Sequence, residues 1–259
     1  MMTWRAADDL GRFLERVVLP PGWRVLYEPT VESTNDLARE AARRGWPERS
    51  VIVADYQTGG RGRHGRAWIC PPRAGLLVSV MLRGRELPPQ TYTMLASVAV
   101  CEAAERLLHV EPRIKWPNDV TIDGRKAAGI LAEASDDGRE RTIVVGIGVN
   151  VNLDRDDLTE LPHATSLSLA AGYPVHRGEL LVLILEQFDS WLKLPPARLA
   201  AILWDTWNAR LWGRDQVMRI DDGAGEIVAT VLGADRDGAL LVRTADGEHR
   251  RIIAGEILP

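Results

Sequence analysis

Apolar and polar positions alternate along this chain with a period that changes repeatedly, and each change marks an element. Leu10, Phe13, Leu14, Val17 and Val18 recur at helical spacing, which predicts an amphipathic helix over residues 4–18 stopped by Pro20-Pro21. A short strand from Trp23 to Glu28 follows. Ser33 or Thr34 then caps a helix running to Gly45, with Leu37, Ala38, Ala41 and Ala42 on its inner face. Ser50 to Asp55 reads as a buried strand leading into a glycine- and arginine-rich loop. Leu76 to Leu82 reads as another strand, before a long helix from about Gln90 to His109.

Two β-branched and apolar runs flank Asp123-Gly124, a strong hairpin signal, and Arg141 to Asn150 continues the sheet. Helical stretches at about 177–193 and 196–211 follow. From Asp215 the texture shifts to short strands separated by Asp222-Gly223, Asp237-Gly238 and Asp246-Gly247, the rhythm of a small closed β-barrel. The expectation is therefore an α+β chain: a mixed sheet flanked by helices over residues 1–212, and a small barrel over 213–259.

Composition narrows the function. At 259 residues the chain can bury a full-sized core, and its 46% hydrophobic and 26% charged content is that of an ordinary globular protein. A net charge of −4 argues against general nucleic-acid binding. Cys70 and Cys101 form no ligand-spaced pair and the histidines show no paired-ligand spacing, so a zinc site is not expected. The N-terminus lacks the pattern of a signal peptide. The longest uncharged stretch, roughly Leu87 to Cys101, is too short to span a bilayer, so a cytoplasmic location is expected.

Four segments carry candidate chemistry. In Gln57 to Trp68 (QTGGRGRHGRAW), Gly59, Gly60, Gly62 and Gly65 let the backbone approach a ligand, while Arg61, Arg63 and Arg66 suit a carboxylate or phosphate. Taken alone, a solvated flexible loop explains this segment equally well. In Arg113 to Asp119 (RIKWPND), Trp-Pro implies an extended exit from a strand, after which Asn118 and Asp119 offer oxygens suited to magnesium carrying a nucleotide. An ordinary Asn-Asp turn is the simpler reading of that dipeptide. In Arg125 to Glu133 (RKAAGILAE), Lys126 opens an apolar strand and either reaches an anion or snorkels to water. In Gly146 to Asn152 (GIGVNVN), two glycines admit a close approach to the sheet, and Asn150 offers a donor and an acceptor; a bulged core strand is the alternative.

Taken together and in this order, QxGGRGRxGRxW, KWPND, RKxxGILxE and GIGxNxN closely resemble the signature of biotin protein ligases. Ser33-Thr34-Asn35 matches that family's STN element. The resemblance implies a biotin/lipoate ligase-like catalytic domain, related to class II aminoacyl-tRNA synthetases, followed by an SH3-like barrel. It also implies biotin, ATP and magnesium as reactants and cofactor, and a biotin carboxyl carrier protein domain as partner. Ser33, Thr34, Asn35 and Gln57 match positions that meet biotin's rings and ureido group. Arg61, Gly62 and Arg63 match positions that close over biotin. Arg66 and Trp68 match positions around the nucleotide, Asn118 a phosphate and magnesium position that Asp119 supports, and Asn150 a position near adenine. Lys126 matches the lysine that bridges biotin's carboxylate and the α-phosphate, which makes Lys126, Arg61 and Arg63 the catalytic expectation. His64 stands where arginine is common and has no assigned role; Glu133 and Glu256 are either structural or in touch with carrier or nucleotide, which the sequence does not decide.

The loop spelling speaks against a lipoate-type ligase, and the retained nucleotide positions against a degenerate biotin-binding or sensing protein. Only about 22 residues precede the first expected strand, too few for a DNA-binding helix-turn-helix domain, so no DNA partner is expected. The loop, with few apolar side chains and mutually repelling arginines, is expected to be mobile until an anion binds. The oligomeric state is not legible from the sequence.

Overall fold

A computed structural model describes residues 9–83, 87–136 and 141–258. Its elements, in chain order, are α1 (Leu10–Leu14), β1 (Arg24–Val31), α2 (Thr34–Arg43), β2 (Ser50–Gln57), β3 (Gly75–Arg83), α3 (Pro89–Leu107), β4 (Arg113–Lys115), β5 (Asp119–Ile122), β6 (Arg125–Asp136) and β7 (Arg141–Asn150). There follow α4 (Leu167–Ala171), α5 (Arg177–Leu192), α6 (Pro196–Ala209), β8 (Val217–Asp221), β9 (Glu226–Ala234), β10 (Leu240–Thr244), β11 (His249–Ile252) and β12 (Glu256–Ile257).

The first seven strands form one sheet in the order β1-β2-β3-β7-β6-β5-β4, with β1 and β2 parallel and the other pairs antiparallel. The last five form an antiparallel sheet in the order β11-β10-β9-β8-β12.

Strand alternation assigns the two faces of the large sheet. Val51 and Val53 of β2, Leu76, Val78, Val80 and Leu82 of β3, and Ile143, Val145, Ile147 and Val149 of β7 are buried in one cluster with α3 and α5. The intervening residues face the other way. There Ile52 and Val144 pack with Ala38 of α2, and Ser79 hydrogen-bonds α2 directly. Helix α2 thus covers only part of its face, and the uncovered part is where a ligand can reach the sheet.

The β5–β6 connection is the expected two-residue turn, with Asp123 and Gly124 both at positive φ (50° and 73°). Three details differ from the sequence reading. Helix α1 ends at Leu14 and Val18 is 88% exposed; Pro20 restricts only Leu19 and does not set this earlier end. Residues 4–8 of the expected helix lie outside the described residues. Trp116-Pro117-Asn118 forms a tight reversal between β4 and β5 rather than an extended exit. Helix α4, capped by Ser166 and closed by Gly172 in the left-handed region, was not anticipated.

The C-terminal sheet is fixed to the rest of the chain by tryptophan donors and one asparagine. Trp116 Nε1 donates to Gly238 O at 2.8 Å and Trp204 Nε1 to Ala234 O at 3.0 Å. Asn208 accepts from Ala234 N at 2.8 Å and donates to Ala234 O at 3.2 Å. Among the described residues no helix is long and apolar enough to cross a membrane.

Candidate active site

On the α2 face a cleft of about 560 Å³ opens over β6 and β7, within the size range of small-molecule sites. Its floor is made of glycine. Gly129 of β6 pairs with Gly148 of β7, and Leu131 with Gly146, so three glycines gather on one face through the two-residue period. The indole of Trp68 lies on the first pair: a Cβ at Gly148 would stand 2.5 Å from Trp68 Cε2, and one at Gly129 2.9 Å from Trp68 Cζ3. A Cβ at Gly146 would overlap the Asn35 amide. Side chains at these positions would displace Trp68 and Asn35, which is why apolar strands carry glycines here.

The α2 side presents neutral polar groups. Ser33 caps α2, accepting from Asp36 N at 3.4 Å. Thr34 donates to Gln57 Oε1 twice, from its backbone N at 2.7 Å and its hydroxyl at 2.9 Å. With its oxygen engaged in this way, Gln57 is left with Nε2, two N–H donors beside Gly60, to offer a ligand acceptor. Asn35 is oriented on both sides: Oδ1 accepts from the Ser79 hydroxyl at 2.6 Å, and Nδ2 donates to Glu133 Oε2 at 2.7 Å.

The β5 side and the loop bring in charge. Gln57 to Trp68 folds back on itself, with Gly62 N donating to Arg66 O at 2.7 Å, Trp68 N to Gly60 O at 2.9 Å, and the reversal at His64 and Gly65, both at positive φ. His64 is exposed at this tip. Arg61 pairs with Asp36 and Arg66 with Glu256, each through two hydrogen bonds. Lys126 Nζ lies 2.7 Å from Asp119 Oδ1 and 5.6 Å from the Trp68 ring centroid. The expectation that these arginines repel one another until an anion arrives is therefore corrected: internal carboxylates already face two of them.

Arg63 is different. Among the described residues it has no ion pair, only a long contact to Asn118 Oδ1 at 3.4 Å, and burial lowers its pKa from the ordinary arginine value. Glu256 is held below the usual carboxylate range, chiefly by its hydrogen bond from Arg66.

Ser33, Thr34, Asn35, Gln57, Arg61, Gly62, Arg63, Arg66, Trp68, Asn118 and Lys126 all line this cleft, although they come from distant parts of the chain. Asn150 does not. It is 3% exposed, and its Nδ2 donates to Thr165 O at 3.1 Å and Lys126 O at 3.4 Å. The backbone carbonyls that hold it leave it a brace behind Lys126 rather than a wall of the cleft. Asp36 and Ser79 have no part in the sequence expectation for the site, and Glu133 has no decided role in it. Ser79 was legible in principle, as a lone hydroxyl in the apolar run LLVSVML; the other two needed the tertiary contacts.

Among the described residues no group of three or more His, Cys, Asp or Glu side chains is arranged to hold a metal. Asn118 Oδ1, only weakly engaged, and the Asp119 carboxylate are the oxygens available beside the cations. Such a donor set fits a magnesium ion that arrives on nucleotide phosphates and takes one or two protein oxygens.

Residues 27–150 match the Biotin/lipoate A/B protein ligase family, and residues 218–258 the Biotin protein ligase C terminal domain. The chain is 38% identical over 250 residues to a biotin–[acetyl-CoA-carboxylase] ligase of Mycobacterium tuberculosis, covering 92% of this chain and 90% of that one. It is 36% identical over 238 residues to the bifunctional ligase/repressor BirA of Bacillus spizizenii, covering 87% and 71% respectively. The biotin protein ligase of Aquifex aeolicus, solved with biotin and ATP, superimposes with a TM-score of 0.78 at 28% identity, covering 91% of this chain and 97% of that one. The chain belongs to the biotin protein ligase family, on the biotin rather than the lipoate side of the class.

Proposed function

We propose that this ligase joins biotin to ATP in the cleft and then passes the biotinyl group to a lysine of a biotin carboxyl carrier protein domain. The observation that carries the reading is the pairing of two unlike corners across the glycine floor. At one, Gln57 Nε2 offers donors to a neutral urea oxygen, with Ser33, Thr34 and Asn35 around it. At the other, Arg63 and Lys126 offer positive charge to carboxylate and phosphate. Between them the glycine floor seats the Trp68 indole and the Asn35 amide, which form the surface a ligand meets. Trp68 Nε1 is buried with no acceptor among the described residues. An unpaired N–H of this kind costs about 1–3 kcal/mol, which a ligand oxygen would relieve.

In the first step biotin's carboxylate oxygen attacks the α-phosphorus of ATP, forming biotinyl-5′-adenylate and releasing pyrophosphate. Two anions must meet, so the main demand on the protein is fixed positive charge and not a general base. Lys126 lies between the two reacting groups, Arg61 and Arg63 hold the biotin side, and Arg66 and Trp68 the nucleotide. Asn118, with Asp119, would hold magnesium brought by ATP. That ion, when bound, neutralises charge on the departing pyrophosphate. In the second step the carrier lysine's amine attacks the acyl carbon, and AMP leaves with the bonding electrons.

We take residues 1–212 as the catalytic unit and 213–259 as a second unit that closes the cleft, since Asp221, Gly255 and Glu256 line it. The test is to incubate the protein with biotin, magnesium-ATP and a carrier domain and weigh the carrier. One biotinyl group added, dependent on ATP, is the expected result; an unmodified carrier together with no biotin-dependent pyrophosphate refutes the reading.

A further inference from the structure

The loop meets α2 through an ion pair whose acidic member, Asp36, neither the sequence motifs nor the proposed chemistry uses. Asp36 directly follows Ser33-Thr34-Asn35, in the first turn of α2. Its carboxylate oxygens each accept from one terminal nitrogen of Arg61: Nη1 to Oδ2 at 2.6 Å and Nη2 to Oδ1 at 2.7 Å. The same carboxylate pairs with Arg39. Arg39 reaches on to Glu133 Oε1 at 2.8 Å, and the other oxygen of Glu133 holds the Asn35 amide at 2.7 Å. One continuous chain of charge-assisted hydrogen bonds therefore runs from the loop through α2 to β6, and back to an amide lying over Gly146.

An isolated surface pair contributes little, because both side chains can swing into water. Three features set this one apart. Its two parallel bonds fix direction as well as distance. Its carboxylate is shared with a second arginine, itself tied down at Glu133. Its arginine belongs to a segment whose backbone is already closed, with Arg61 bridged to Ala67. Asp36 is also held at a pKa of about 2, chiefly by the hydrogen bond from Arg61, so the pair stays charged at neutral pH. Using Nη1 and Nη2 for Asp36 leaves the Arg61 Nε–H and one outer N–H on each terminal nitrogen for other acceptors. Asp36 thus directs the arginine without exhausting it.

We propose that Asp36 is a positioning residue: it holds Arg61, and with it the base of the loop, against α2, so that the biotin side of the cleft is formed before ligand binds. Only the tip around Arg63 to Gly65 is left to move. The proposal rests on the biotin-ligase reading of the cleft. A loop base ordered in advance need not lose that conformational freedom on binding, which favours affinity and slows escape of the bound adenylate.

The experiment uses the full chain and Asp36→Asn, which keeps shape and removes charge. Biotin affinity is measured by calorimetry without ATP, the steady state by pyrophosphate release, and adenylate escape by a chase with excess unlabelled biotin. We expect the biotin Kd and KM to rise roughly fivefold, the scale of one partly exposed ion pair. Adenylate escape should accelerate by a similar factor, with kcat and the KM for ATP near wild type, and Asp36→Glu should restore part of the loss. Wild-type biotin affinity and adenylate retention in Asp36→Asn overturn the proposal, and so does a fall in kcat at unchanged biotin KM. Should Asp36→Asn fail to fold, amide exchange in the unliganded wild type decides. Protection at residues 58–61 exceeding that at 63–65 supports the proposal, and equal exchange across the loop overturns it. If the wild type binds biotin normally while Asp36→Asn gives an overturning result, the positioning role falls and the ligase reading stands. If the wild type binds no biotin, both fall.

Discussion

Replacing Lys126 with alanine separates what this side chain does for the fold from what it does for the reaction. In the folded chain Nζ contacts Asp119 Oδ1 at 2.7 Å, with the two side chains 39% and 20% exposed. A pair of that exposure contributes about 1 kcal/mol or less. The contact with Trp68 at 5.6 Å adds about 0.5–1 kcal/mol at most. The backbone ties of the residue, Lys126 N to His163 O and Thr165 N to Lys126 O, both 2.8 Å, survive the substitution. The melting temperature should therefore fall by only a few degrees, at about 2–4 °C per kcal/mol for a chain of this size.

The reaction loses far more. One preorganised charge removed from between two anions costs about 3 kcal/mol, a hundredfold or more in rate. The substitution also takes its nearest cation from Asp119, which Arg63, Arg66 and Lys115 still face. Biotin-dependent pyrophosphate release should accordingly fall at least a hundredfold in Lys126→Ala. Release at the wild-type rate in a folded Lys126→Ala protein would refute the role.

Further outcomes follow from the same geometry. Gly146→Val should leave a folded protein that has lost most of its biotin affinity, because a side chain there displaces the Asn35 amide; calorimetry showing normal binding would contradict this. Arg66→Ala should raise the KM for ATP roughly tenfold, the loss of one charge-assisted contact, while biotin affinity measured without ATP stays put. Acid should destabilise the chain through its paired carboxylates. Asp36 is held at about 2 and Asp189 and Glu256 are also lowered, so the folded state binds protons less readily than the unfolded one. Their contribution is complete above the ordinary carboxylate range and is lost as pH falls from about 4 toward 2. Melting curves across that window should show the decline, and less of it in Asp36→Asn.

Much of this protein is written in local sequence. The two-residue alternation of LLVSVML and RTIVVGIGVN fixes which residues of β3 and β7 share a face. The Asp123-Gly124 pair, with both φ values positive, sets the β5–β6 turn. Ser33 in front of Thr34 starts α2, and the Asp-Gly turns mark the C-terminal strands. The motifs that name the family are contiguous, so the sequence displays them without folding. What local pattern does not encode is which charges meet. Arg66 and Glu256 are 190 residues apart, Arg61 and Asp36 25, and Asn35 and Glu133 98. Each pairing exists only because sheet register and loop path bring both ends to one place. The same holds for Asn150, whose short polar side chain fits a cleft or a core equally well until the loop at Thr165 closes over it. It holds for Trp68, which finds its seat only once Gly129 and Gly148 lie side by side on neighbouring strands. Periodicity is a property of a few consecutive residues; long-range complementarity of charge and shape belongs to the packed molecule, and there the tertiary structure alone decides.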